Sequence, residues 1–211
     1  VELFALSADS AKSLCDRARA LLEQPGAELA LWSRELLKGF RAEAPARASF
    51  VAASLDDAKA RLADVAAGRS SPLVFTGRGA PGKVALLFPG QGSQQVGMGA
   101  ALAMHFDAAR AVLDRADDEQ ELARLIYPPP AFTDDERGAQ RAALTKTEHA
   151  QPALGAVSLA TLRTLEQLGL TFDMAAGHSF GELTALCAAG AFDEATLLRL
   201  ARRRGELMAT A

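Results

Sequence analysis

The sequence predicts an α/β protein in two parts, a small α/β unit over residues 1–78 and a larger unit over 83–211 built on a parallel sheet. Three observations predict it. Short apolar runs alternate with helix-period segments along the chain. The continuous apolar run VALLF (84–88), which suits a strand buried on both faces, leads directly into the glycine-rich PGQGSQQVGMG. A second short run, FDMAAG (172–177), delivers His178 and Ser179 to the helix-like ELTALCAAG.

In the first part, ELFALSA (2–8) reads as a strand. DSAKSLCDRARALLEQ then sets Leu14, Ala18, Leu21 and Leu22 at helical spacing, with Asp9 or Ser10 as N-cap and Pro25-Gly26 beyond the end. ELALWSRELLKGF repeats the helical period and carries Trp32, a residue for the core or a contact surface. ASFVAAS (48–54) is a strand, LDDAKARLADVAAG a helix entered through Asp56-Asp57 and closed by Gly68, and PLVFTG (72–77) another strand. No catalytic constellation stands out here. GRGAPGK (77–83) marks the boundary.

Beyond VALLF, helix-like segments run over about 93–104 and 106–116. YPPPAFTDDERG (127–138) is proline- and charge-rich and reads as a surface excursion. QPALGAVSLATLRTLEQLG (151–169) is a long helix with Pro152 in its first turn, where a missing N–H costs nothing. After the strand at 172–177 come a helix, a turn at Gly190-Ala191-Phe192 and a second helix capped by Asp193.

Composition excludes several classes. Hydrophobic residues make up 49% and charged residues 23% of 211, ordinary for a globular protein with a sizeable core. A net charge of −3 with scattered Lys and Arg gives no footprint for nucleic acid or an anionic membrane. Cys15 and Cys187 lie far apart in helix-like patterns, so a reducing, cytoplasmic setting is expected rather than a disulfide framework. No apolar run approaches the ~20 residues that span a bilayer, and the first residues lack the pattern of a signal peptide. The start at Val1 rather than Met suggests a piece excised from a longer polypeptide.

The chemistry centres on Gly177-His178-Ser179-Phe180-Gly181. Between a strand and a helix, a Gly-x-Ser-x-Gly turn is tight enough to demand small flanking residues and leaves the serine Oγ exposed at the helix N-terminus. The helix dipole and free N–H groups there favour a bound oxyanion, with Phe180 N–H as the natural first donor. A second donor requires another loop. FPGQGSQ (88–94) follows the other apolar strand, and its glycines permit close approach, so the backbone N–H of Gln91 is the candidate if the two strands are neighbours.

LLFPGQGSQQVGMG, AQPALGAVSLA and AGHSFGELTALCAAGAF…RRRGELM, in this order and spacing, resemble the acyltransferase domain of multifunctional polyketide, fatty acid and polyunsaturated fatty acid synthases, the family of malonyl-CoA:acyl carrier protein transacylases. The resemblance covers roughly 83–211, and residues 1–78 resemble, less specifically, the small α/β linker that follows a ketosynthase. It implies an α/β-hydrolase-like parallel sheet core with a nucleophile elbow, incomplete in this chain. It also implies ping-pong transfer: a serine takes the acyl group from malonyl-CoA and passes it to the phosphopantetheine thiol of an acyl carrier protein, with no permanently bound cofactor and no metal. Nucleophile, oxyanion donors and carboxylate-binding arginine fall on Ser179, on Gln91 and Phe180, and on Arg204; His178 and Gln151 fall on positions lining the site. The spacing suits Arg204: about ten residues of helix lead away from Ser179 and about eleven return, ~15 Å each way at ~1.5 Å per residue.

The departure is the base. The family's histidine lies well downstream of the serine, and none of the three here, His105, His149 and His178, follows Ser179. His178 is expected to shape the pocket, His149 to sit at a helix entry or line the acyl pocket, and His105 on a helix surface. Cys187 reads as a small buried hydrophobe, and Glu182, Asp193 and Glu194 as first-turn residues of helices rather than a triad acid. The piece alone is expected to be inactive. Two other readings stay open: an α/β-hydrolase-type esterase or thioesterase, which has no use for Arg204, and a non-catalytic docking fragment of a synthase.

Overall fold

The computed structural model describes residues 1–79, 82–117 and 122–210. It comprises two compact units that divide between Gly82 and Lys83.

The first unit contains β1 (Glu2–Ala8), α1 (Ala11–Glu23), α2 (Leu29–Lys38), β2 (Ala46–Ala52), α3 (Leu55–Ala66) and β3 (Val74–Arg78). The strands form an antiparallel sheet in the order β1-β2-β3, with Phe4 opposite Phe50 and Ala48 opposite Thr76. The rings of Phe4 and Phe50 stack with centroids 5.1 Å apart, and Trp32 meets Phe4 edge-on at 5.5 Å. Trp32 is therefore core. Of the two candidate caps for α1, Ser10 takes the role by accepting from Ser13 N–H, and Ser54 does the same for α3 through Asp57 N–H. Asp9 instead pairs with Arg41 at 2.6 Å.

The second unit contains β4 (Ala85–Phe88), α4 (Ala100–His105), α5 (Asp107–Ala116), α6 (Leu122–Ile126), α7 (Asp134–Thr145), α8 (Thr147–Gln167), β5 (Met174–Gly177), α9 (Gly181–Ala188) and α10 (Glu194–Ala209). Strands β4 and β5 pair in parallel, Ala85 with Met174 and Phe88 with Gly177, so both chains leave the sheet at the same end. The buried α8 is the spine: Leu154, Leu159 and Ala160 pack with Ala109 and Val112 of α5 and with Leu197 and Ala201 of α10.

Four expectations change. The helix expected over 93–104 starts at Ala100, because Gly97 and Gly99 adopt φ of 82° and 76°, outside the helical region. The excursion at 127–138 becomes helix at Asp134, where Thr133 and Glu136 form a capping box. Helix α8 begins at Thr147 rather than Gln151, so Pro152 lies inside it. A proline there removes an intrahelical hydrogen bond at a cost of ~3 kcal/mol, which the burial of α8 outweighs. Finally, β4 is not buried on both faces. Phe88 packs with Leu162 and Ala185, whereas Leu87 is 77% exposed, because the helices in contact with β4 cover one side.

Candidate active site

The two glycine turns meet where β4 and β5 end. Ser179 has φ 55°, the one non-glycine residue with positive φ among the described residues. For an L-residue this conformation costs roughly 1–2 kcal/mol and persists only where neighbours enforce it. They do so through contacts that leave no room for a side chain. A Cβ on Gly177 would overlap the Gly181 carbonyl, and a Cβ on Gly181 would overlap the Phe88 carbonyl at the end of β4. His178 N–H donates to Phe88 O (3.1 Å), Gly181 N–H to His178 O (2.9 Å) and Glu182 N–H to Ser179 O (3.2 Å). The Phe180 ring is fully buried beside Gly155 of α8, which anchors the turn while Ser179 stays exposed.

The second turn closes against the first. A Cβ on Gly90 would overlap the His178 carbonyl, so the two backbones touch there. Gly92, at φ 106°, donates its N–H to Gln94 Oε1 (2.7 Å), and Ser93 N–H reaches Gly90 O (3.3 Å). The N–H groups of Gln91 and Phe180, and Ser179 Oγ, have no protein hydrogen-bond partner among the described residues. A serine hydroxyl and two unengaged N–H groups thus belong to the two turns that meet at one end of the sheet.

Arg204 reaches this corner through a polar chain. Its Nη1 donates to Gln151 Oε1 (2.8 Å), Gln151 Nε2 donates to Thr147 Oγ1 (2.8 Å), and Thr147 Oγ1 donates to Gln91 Oε1 (3.0 Å). Gln151 is fully buried. Gly205 permits the approach: a Cβ there would lie 2.8 Å from Thr147 O and Glu148 Cα, so α10 rests on the first turn of α8. Sequence reasoning missed Thr147 and Gly205. Thr147 and Gln151 are four apart, the spacing that shares one face of a helix, but that signal disappears if the helix is started at Gln151.

The remaining candidates are placed by local contacts. His178 is exposed, held by its backbone at the junction of the turns. His149 Nδ1 contacts Ala143 O (2.8 Å) in the first turn of α8, and His105 ends α4, exposed. Cys187 is buried, and that burial, aided by nearby Glu194, pushes its thiol above the ordinary range, unlike a reactive cysteine. Asp193 caps α10 by accepting from Thr196 N–H (2.7 Å), and Glu182 lies in the first turn of α9. Glu194 does more than begin a helix. Arg163 of α8 (2.5 Å) and Arg115 of α5 (2.7 Å) both bind it. Burial alone would raise its pKa, but the two hydrogen bonds prevail and hold it below the usual carboxylate value.

A family model covers the unit that holds these turns: residues 85–211 match the acyl transferase domain. The chain belongs to that family. It is 43% identical over 128 residues to the malonyl CoA-acyl carrier protein transacylase of Bacillus subtilis (strain 168), covering 60% of this chain and 37% of the relative. It is 39% identical over 163 residues to the phenolphthiocerol synthesis polyketide synthase type I Pks15/1 of Mycobacterium marinum, covering 77% of this chain and 8% of that one. Among solved structures, the acyl transferase domain of ZmaA superposes with a TM-score of 0.80 at 26% identity, over 99% of this chain and 49% of that one. The chain spans less than half the length of these relatives.

Proposed function

We propose that this chain carries the nucleophile and carboxylate-binding part of an enzyme that transfers a malonyl or related carboxylated acyl group from coenzyme A to an acyl carrier protein, in polyketide or fatty acid biosynthesis. The observation that carries the proposal is Ser179 at φ 55° between glycines that exclude any side chain, with the N–H groups of Phe180 and Gln91 unengaged. Ser179 Oγ attacks the thioester carbonyl, losing its proton to a general base, and the two N–H groups stabilise the oxyanion. Collapse expels the coenzyme A thiol and leaves an acyl-serine ester. The phosphopantetheine thiol of the carrier protein attacks that ester in turn, and Ser179 recovers its proton. His178, whose backbone joins the turns, shapes the pocket.

Arg204 binds the free carboxylate of the acyl group, and buried Gln151 holds its guanidinium. An esterase for neutral acyl groups has no use for such a cation. In this reading the second unit is an α/β-hydrolase-like core with its nucleophile elbow, and residues 1–78 are a ketosynthase-to-acyltransferase linker beside a neighbouring ketosynthase. The two thiols, Cys15 and Cys187, are free, which agrees with a cytoplasmic setting.

The test is incubation of the full-length polypeptide with radiolabelled malonyl-CoA and acetyl-CoA, wild type against Arg204→Ala. Malonyl label is expected on the Ser179 peptide, and Arg204→Ala should reduce the malonyl-to-acetyl preference by about 2–5 kcal/mol. An unchanged preference makes Arg204 a surface charge and removes the acid-selective reading.

A further inference from the structure

Four side chains on three separated stretches of chain form one directed hydrogen-bond chain, Arg204 to Gln151 to Thr147 to Gln91. Its polarity is set at Arg204, which can only donate, and Thr147 matches and reinforces it. A hydroxyl has one proton to donate. Thr147 commits it to Gln91 Oε1, so toward Gln151 it can only accept. Gln151 must then present its NH₂ to Thr147 and its carbonyl oxygen to Arg204. The reversed amide would set an NH₂ against a guanidinium, which has donors and no acceptor. The other group near Gln151 Nε2 is the weak acceptor Met208 Sδ (3.3 Å), and Gln151 is fully buried. Gly205 brings α10 against the backbone of Thr147 and Glu148, so the seat is closely packed there.

We propose that Thr147 is a positioning residue for acyl selectivity: its hydroxyl fixes the orientation of the Gln151 amide, and through it the guanidinium of Arg204, while tying the Gln91 turn to the same frame. The proposal rests on the reading of Arg204 as the carboxylate-binding group. Arg204 uses Nη1 on Gln151, and a guanidinium carries five N–H groups, so the rest of the fork remains for the acyl carboxylate. A guanidinium free to rotate would still attract the anion but would bind both of its oxygens less often.

Thr147→Val keeps the shape and removes the hydroxyl, whereas Thr147→Ser keeps the hydroxyl. In the ¹⁵N-labelled chain, the Gln151 side-chain amide protons should exchange slowly with water in wild type and Thr147→Ser, and at least about tenfold faster in Thr147→Val. Gln91→Ala, at an exposed position less prone to disturb folding, frees the Thr147 proton and should also speed that exchange. In the full-length polypeptide, Thr147→Val should raise KM for malonyl-CoA about tenfold with little change in KM for acetyl-CoA, and Thr147→Ser should restore it. Unchanged Gln151 exchange in both Thr147→Val and Gln91→Ala overturns the proposal, as does an equal effect on both substrates. Failure of the underlying reading looks different: wild type would take up no malonyl label, while the exchange result would stand.

Discussion

The interior of the first unit and the corner around Ser179 are built by opposite means. In the first unit, aromatic side chains fill the space: Phe4 stacks on Phe50 across two paired strands, and Trp32 closes the edge. At the corner, side chains are excluded. Gly90, Gly177 and Gly181 let backbones touch, one serine is held outside its preferred conformation, and two N–H groups go without protein partners among the described residues. Burial of apolar area stabilises the first kind of region. In the proposed function, the second gives up stability for an arrangement that binds developing charge, and only tightly packed surroundings maintain it. Stability and chemistry are thus assigned to different residues.

The sharpest test of that division is a pair of substitutions. Phe50→Ala should cost about 3–5 kcal/mol in urea unfolding followed by circular dichroism, through the cavity it leaves. Gly181→Ala adds a single methyl group yet should cost about 3 kcal/mol as well, because β4 and α9 must separate, and it should abolish labelling of Ser179. A well-labelled Gly181→Ala protein would break the comparison by showing that the corner yields.

A smaller effect concerns the ion pairs that cross-link α5, α8 and α10. Glu194→Gln should lower stability by about 1–2 kcal/mol at neutral pH, a modest value because Arg115 and Arg163 are 56% and 40% exposed. The folded-state pKa of Glu194 is depressed, so this contribution is complete above the unfolded value of about 4.3 and is lost as pH falls through the lower folded one. Melting curves of wild type and variant should therefore converge in acid; a gap that stays constant would mean that charge is not the cause.

The smallest expected effect has the opposite sign. Ser179→Gly should raise the stability of the second unit by about 1 kcal/mol, because glycine adopts φ 55° freely, while removing all acylation. A variant less stable than wild type would show that the serine is not strained.

How far the sequence was legible follows the same division. Both glycine turns, the strands that feed them and the caps, Ser10 as one of two candidates and Asp193, can be read from spacing and residue type, since each is a local requirement. The α8 boundary could not, because the preference of proline for a first turn is a local rule that burial of the helix overrode. That boundary hid Thr147. The role of Gly205 was equally invisible: it depends on α10 meeting α8, a contact between residues far apart in the chain. Gln151 and Arg204 read as separate positions in the sequence, and the hydrogen bond between them belongs to the fold.

Trp32 has a practical consequence. It is the only tryptophan of the chain and lies in the first unit, while the only tyrosine, Tyr127, lies in the second, its hydroxyl donating to Met98 O (3.0 Å). Each unit therefore carries its own optical label. Fluorescence excited at the red edge of absorption follows the packing of Trp32 against Phe4 alone, and near-ultraviolet absorbance, once the larger share of Trp32 is subtracted, follows Tyr127 in the unit that bears Ser179. One sample, watched at two wavelengths, can tell which of the two comes apart first.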